Sequence, residues 1–133
     1  MDGIILTPLK QIHTPKGDVW HGLKKSEESF FGFGEVYFSF VNKGEIKGWK
    51  QHTKMVLNLI VLSGEVEFVI YDEKEFFSVK LSPKNYRRLT IQPNLWVAFR
   101  GIEENNMLVN IASIEHNPNE ANTKELSEIK YEW

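Results

Sequence analysis

The sequence has no cysteine. That excludes disulfides, a thiolate metal site and a cysteine nucleophile, and it fits a reducing, cytoplasmic setting. Long apolar runs are missing too. The longest stretch, Met55 to Leu62, is interrupted by Asn58 and is far too short to span a bilayer. The first residues have no basic stretch followed by an apolar one, so no signal peptide is expected. Charge of one sign is also scarce: 16 Lys and Arg stand against 18 Asp and Glu. Without a clustered basic excess there is no electrostatic footprint for nucleic acid. Gly-rich phosphate loops and a Gly-x-Ser-x-Gly elbow are absent.

Helical periodicity is rare, whereas alternation recurs along the chain. Glu35 to Val41 reads as a strand with Val36, Phe38 and Phe40 on one face. Lys54 to Leu62 is apolar on both faces, the mark of a strand covered on both sides. Glu65 to Tyr71 follows the Ser63-Gly64 break, so these two strands are expected to form a hairpin. Further short strands end at Ser82-Pro83, Pro93-Asn94 and Arg100-Gly101, and a last long one runs from Met107 to Ile114. The tail from Asn117 to Trp133 is expected to hold a short helix or to lie extended on the barrel. Evenly spaced strands without a linker or repeat predict one all-β domain over residues 1–133, a sandwich or barrel. Aromatics make up 13% of the residues; most are expected in the core, with some available to stack on a sugar or base ring.

The densest polar cluster is Lys47-Gly48-Trp49-Lys50-Gln51-His52-Thr53-Lys54. If it is extended, Lys50, His52 and Lys54 share a face and would attract an anion such as a pyrophosphate. A solvated strand end would look the same. The other histidines, His13, His21 and His116, have no ligand spacing with His52, so no metal is expected. Glu103, Glu104, Glu115 and Glu120 read as solvated charges near loops or strand ends rather than as acids of a site.

The order of several short motifs resembles the dTDP-4-dehydrorhamnose 3,5-epimerase group of cupins and the related sugar-nucleotide 3,4-ketoisomerases. The residues that carry the likeness are Lys47-Gly48-Trp49, His52-Thr53-Lys54, Val61 through Val66 and Val69 through Asp72. Leu81 through Asn85, Leu89 through Pro93 and Asn117 through Ala121 continue it, and Pro15 through Asp18 matches a turn near the start. This resemblance implies a cupin jelly roll and a homodimer with exchanged strands. It also implies a nucleotide sugar in the barrel mouth and a role in bacterial-type surface polysaccharide biosynthesis. No metal or redox cofactor is used in that family. A His base, oriented by an Asp, removes a proton beside the C4 ketone, and a Tyr returns one from the other face.

The sequence departs from that pattern at the reacting positions. Lys50 stands where the base is expected, Asn110 near the Tyr, and Val97 near a later His. A lysine amine, with an ordinary pKa of about 10.4, is a poor base unless burial and positive neighbours lower it. The expected site is therefore Lys50 or His52 as base, Lys16 and Lys47 on the pyrophosphate, Trp49, Trp96 or Tyr37 lining the sugar or base pocket, and Asn110 contributing to substrate binding. Three functions are open: an isomerase or epimerase of a nucleotide-linked 4-keto-6-deoxy sugar, a binding module for a nucleotide sugar or glycan, or a structural subunit. The first needs a proton acceptor facing a proton donor across one pocket.

Overall fold

A computed structural model describes residues 1–133. Twelve strands and one short 3-10 helix form, in order, β1 (Ile4–Pro8), β2 (Gln11–Ile12), β3 (Val19–Trp20), β4 (Glu35–Asn42), β5 (Ile46–His52) and β6 (Leu57–Ser63). They continue as β7 (Val66–Tyr71), β8 (Phe76–Leu81), β9 (Arg87–Ile91), β10 (Trp96–Gly101), β11 (Asn105–Ala112) and β12 (Ala121–Thr123), with the 3-10 turn at Leu126–Glu128. The strands pair antiparallel into two five-stranded sheets, ordered β1-β9-β6-β11-β4 and β12-β5-β10-β7-β8, beside a small β2-β3 hairpin. The two large sheets pack face to face as a jelly roll, the expected all-β architecture.

Period-two alternation explains why they face each other. Val66, Phe68 and Ile70 point inward from β7 and join Leu57, Leu59, Val61, Leu81, Leu89 and Leu108 in the main core. The intervening Val69 points outward. It meets Trp49, Trp96, Ala98 and Ile129 in a second cluster, on the back of the second sheet. The tail seals that cluster, partly extended as β12 and partly as the 3-10 turn.

Two expectations need correction. The strands on either side of Ser63-Gly64 are not a hairpin: β6 pairs with β9 and β11, whereas β7 pairs with β8 and β10. The turn instead carries the chain from one sheet to the other. Gly64 has φ +76° and its backbone is pressed against Asn105 and Asn106, leaving no room for a side chain. The Asn106 side chain accepts the Glu65 N–H at 2.9 Å and fixes the crossing.

The second correction concerns the aromatics of β4. Val36, Phe38 and Phe40 do share a face, but it points outward, and Phe38 and Phe40 are 62% and 65% exposed. Strand β6 is buried on both faces, as its pattern implies. Its outer face is covered within the chain: Asn58 donates to the Ser29 carbonyl at 3.0 Å, and Ile60 packs on Gly22.

Candidate active site

Strand β5 builds one wall of a cavity of about 330 Å3 that opens between the sheets. Regular alternation would put Lys47 and Lys50 on opposite faces. The β5–β10 register slips between Val97 and Phe99, which pair with Lys50 and Lys47. This bulge turns Lys47, Lys50 and His52 all toward the cavity and Trp49 away from it. Gly48 makes the bulge possible: a Cβ there would stand 2.8 Å from the Ala98 Cα.

Opposite β5, strands β4 and β11 contribute Tyr37, Ser39, Leu108 and Asn110, while Leu57 and Leu59 of β6 form an apolar floor. Tyr37 and Asn110 are paired across the β4–β11 ladder. His116, in the loop after β11, lines the cavity as well.

His52 is held by a carboxylate. Its Nδ1 lies 2.7 Å from Glu120 Oε1, and the imidazole is only 15% exposed. The other Glu120 oxygen accepts the backbone N–H groups of Thr53, Lys54 and Met55, each at 2.9 Å. Burial by itself would raise the Glu120 pKa. The hydrogen bonds from His52 and from the Met55 and Lys54 amides outweigh it and pull the carboxyl down to about 2. An ionised carboxylate only accepts, so Nδ1 carries a proton, and in the neutral imidazole the lone pair is on Nε2. Nε2 has no hydrogen-bond partner within the chain, and the ring lines the cavity.

Glu120 is thus a member of the site and not the solvated charge expected from the sequence. It is 5% exposed and belongs to the segment leading into β12, whose Ala121 pairs with His52. A sequence separation of 68 hides the pair from any local pattern. The visible signal was an acid inside the Pro118-bounded segment Asn117 through Ala121, in a group of proteins whose His is oriented by a carboxylate.

The remaining expected residues divide cleanly. Lys47, Lys50, His52, Tyr37 and Asn110 meet at the cavity. Lys47 Nζ also donates to the Phe40 carbonyl at 2.6 Å and so bridges β5 to β4. Asn110 Oδ1 accepts the Asn58 N–H at 3.2 Å. Trp49 and Trp96 do not line the cavity. They are 1% and 4% exposed in the cluster behind the second sheet, because each alternates with a cavity-facing neighbour, Lys50 on β5 and Val97 on β10. Lys16 lies on the exposed loop between β2 and β3, outside this chain's cavity, and Lys54 is exposed beyond the end of β5. No three His, Cys, Asp or Glu side chains are grouped to hold a metal ion, and no helix is long and apolar enough to cross a membrane.

This fold recurs in known proteins. The crystal structure of a dTDP sugar isomerase from Desulfovibrio desulfuricans G20 is 33% identical, with a TM-score of 0.88 over 93% of this chain and 85% of the other. QdtA, a sugar 3,4-ketoisomerase from Thermoanaerobacterium thermosaccharolyticum solved with TDP, is 23% identical, with a TM-score of 0.81 over 91% of this chain and 88% of the other. The RmlC epimerase of Mycobacterium tuberculosis has a TM-score of 0.81 at 18% identity, over 92% of this chain and 68% of the other. No curated protein matches the sequence. The family model described as FdtA, WxcM-like, C-terminal matches residues 2–130, and the chain belongs to that family.

Proposed function

We propose that the protein isomerises a nucleotide-linked 4-keto-6-deoxy sugar, with His52 as the base. The observation that carries this reading is the buried His52–Glu120 pair on the wall of an open cavity. The ketone at C4 acidifies the neighbouring C3–H bond. His52 Nε2 takes that proton, leaving an enediolate, and the imidazolium returns a proton at C4 to give the 3-keto isomer. Glu120 keeps the tautomer correct and stabilises the imidazolium while it exists. The Lys50 ammonium, which has no partner in the chain, offers positive charge to the enediolate or to the pyrophosphate, and Lys47 stands beside it. The choice of nucleotide rests on the likeness to a dTDP sugar isomerase and on the TDP bound by QdtA, and the choice of sugar on the TDP-4-keto-6-deoxyglucose bound by a QdtA mutant.

Isomerisation is favoured over 3,5-epimerisation by Asn110. An epimerase must protonate carbon from the face opposite its base, and at the position of the expected Tyr this chain has an amide whose oxygen is already bonded to β6. That same amide favours a second reading, a nucleotide-sugar binder without turnover. The open cavity argues against a purely structural subunit, which would fill its barrel. Incubation with dTDP-4-keto-6-deoxyglucose, followed by NMR, separates the two: a 3-keto product supports the isomerase, and line broadening without product supports the binder. A nucleotide-linked deoxy sugar is a glycosyl donor, in keeping with surface polysaccharide biosynthesis. The outward face of β4, with Phe31 and Phe33 also exposed, is the proposed homodimer contact, since apolar patches of this kind mark interfaces.

A further inference from the structure

Moving a ketone from C4 to C3 transfers two protons. One travels between carbons, the task assigned to His52. The other travels between oxygens: the C3 hydroxyl must lose its proton, and the C4 oxygen must gain one. His52 cannot be bonded to carbon and oxygen protons at once, so the oxygen-bound proton moves through another group, a side chain or water.

The facing wall holds one. Tyr37 lines the cavity, and its hydroxyl donates to Glu35 Oε1 at 2.7 Å. The same carboxylate oxygen accepts the His116 backbone N–H at 3.0 Å, which fixes Glu35 behind the phenol. Glu35 itself does not line the cavity, so the phenol stands between substrate space and carboxylate. With its proton directed at Glu35, the Tyr37 oxygen presents lone pairs to the cavity and accepts from a sugar hydroxyl. Burial, then the hydrogen bond to Glu35 and its charge, push the Tyr37 pKa up to about 12, so a free phenolate does not form near neutrality and transfer through this group is concerted.

We propose that Tyr37 and Glu35 form the oxygen-side proton relay of the isomerisation. The Tyr37 oxygen takes the proton of the C3 hydroxyl as its own proton passes to Glu35. In the return step Glu35 gives its proton back to Tyr37, and Tyr37 releases one to the C4 oxygen. The O3–H bond breaks, the O4–H bond forms, and both side chains end as they began. This rests on the isomerase reading above, with His52 acting on carbon. Tyr37 is the catalytic residue of the pair, and Glu35 is its positioning residue and transient proton holder.

The test uses the full chain, dTDP-4-keto-6-deoxyglucose and D2O, with C3 proton washout and 3-keto product followed together by NMR. Tyr37→Phe keeps the ring and removes the oxygen. It is expected to lower product formation by about 100-fold or more while washout at C3 stays within about fivefold of the unaltered protein. Glu35→Gln is expected to shift the same ratio in the same direction, a split that a merely structural role would not produce. Tyr37→Phe with unchanged product formation, or with product and washout falling together, overturns the relay. If the unaltered protein gives neither product nor washout, the isomerase reading itself fails, and the relay with it.

Discussion

Replacing Glu120 by Gln removes one charge and almost no volume, so its effect traces to the hydrogen bonds that the side chain makes. The carboxylate accepts four of them, one from His52 on Oε1 and three from backbone amides on Oε2. Gln has a single acceptor oxygen. If that oxygen stays on the amides, the NH2 faces His52 and forces Nδ1 to accept. The imidazole proton then moves to Nε2, where it blocks the base. Activity is expected to fall by about 100-fold to 10,000-fold. If the amide turns over, the Lys54 and Met55 N–H groups lose their acceptor, while Thr53 N–H keeps the Glu120 backbone carbonyl; an unmet buried group costs about 1–3 kcal/mol. The charge also makes stability depend on pH. A carboxyl lowered from 4.5 to about 2 stabilises the fold at pH values above its unfolded pKa. That contribution, about 3 kcal/mol at about 1.4 kcal/mol per pKa unit, drains away as the pH falls from about 4.5 toward 2. Urea unfolding at pH 7, 4 and 2.5, isomerisation rates, and 15N NMR of the His52 ring test these points together. Glu120→Gln with near-native activity, an unchanged tautomer and the same acid sensitivity would refute the reasoning.

Three further outcomes are expected. Gly48→Ala drives a Cβ into Ala98 and should cost about 1–3 kcal/mol in thermal unfolding, with loss of turnover as the bulge that aims Lys47, Lys50 and His52 is disturbed. Lys50→Ala should weaken TDP-sugar binding or turnover by about tenfold and reduce its salt dependence, measured by titration at two ionic strengths. Phe38→Glu should yield a monomer in sedimentation velocity while the circular dichroism stays unchanged, because Phe38 is exposed in the single chain.

Most strands were legible because each is half-buried or fully buried, and burial writes itself into the sequence with a period of two. The limits of β4, β7 and β8 fall within a residue or so of the alternation. Pairing was less legible. Ser63-Gly64 is a good hairpin turn in isolation, and only the crowding of Gly64 by Asn105 and Asn106 reveals a crossing between sheets. The role of Trp49 was misjudged: it alternates with Lys50 and so faces away from the cavity, whereas Lys47 reaches the cavity because the bulge at Gly48 brings it to the face of Lys50 and His52. The outward Phe38 and Phe40 follow the same alternation as core residues, so periodicity alone gives the face but not what covers it. Glu120 could not be found by spacing, since its hydrogen bonds with β5 close a loop of more than sixty residues.

In the proposed reaction His52, positioned by Glu120, removes the C3 proton of a nucleotide-linked 4-keto sugar. The most direct test is the fate of that proton. dTDP-4-keto-6-deoxyglucose is incubated in D2O with the unaltered protein and with His52→Asn, and the C3 signal is followed by NMR. Protein-dependent loss of the signal is expected, slowed by about 100-fold or more in the variant. Loss at the same rate in His52→Asn, or no loss with either protein while the sugar binds, would contradict it.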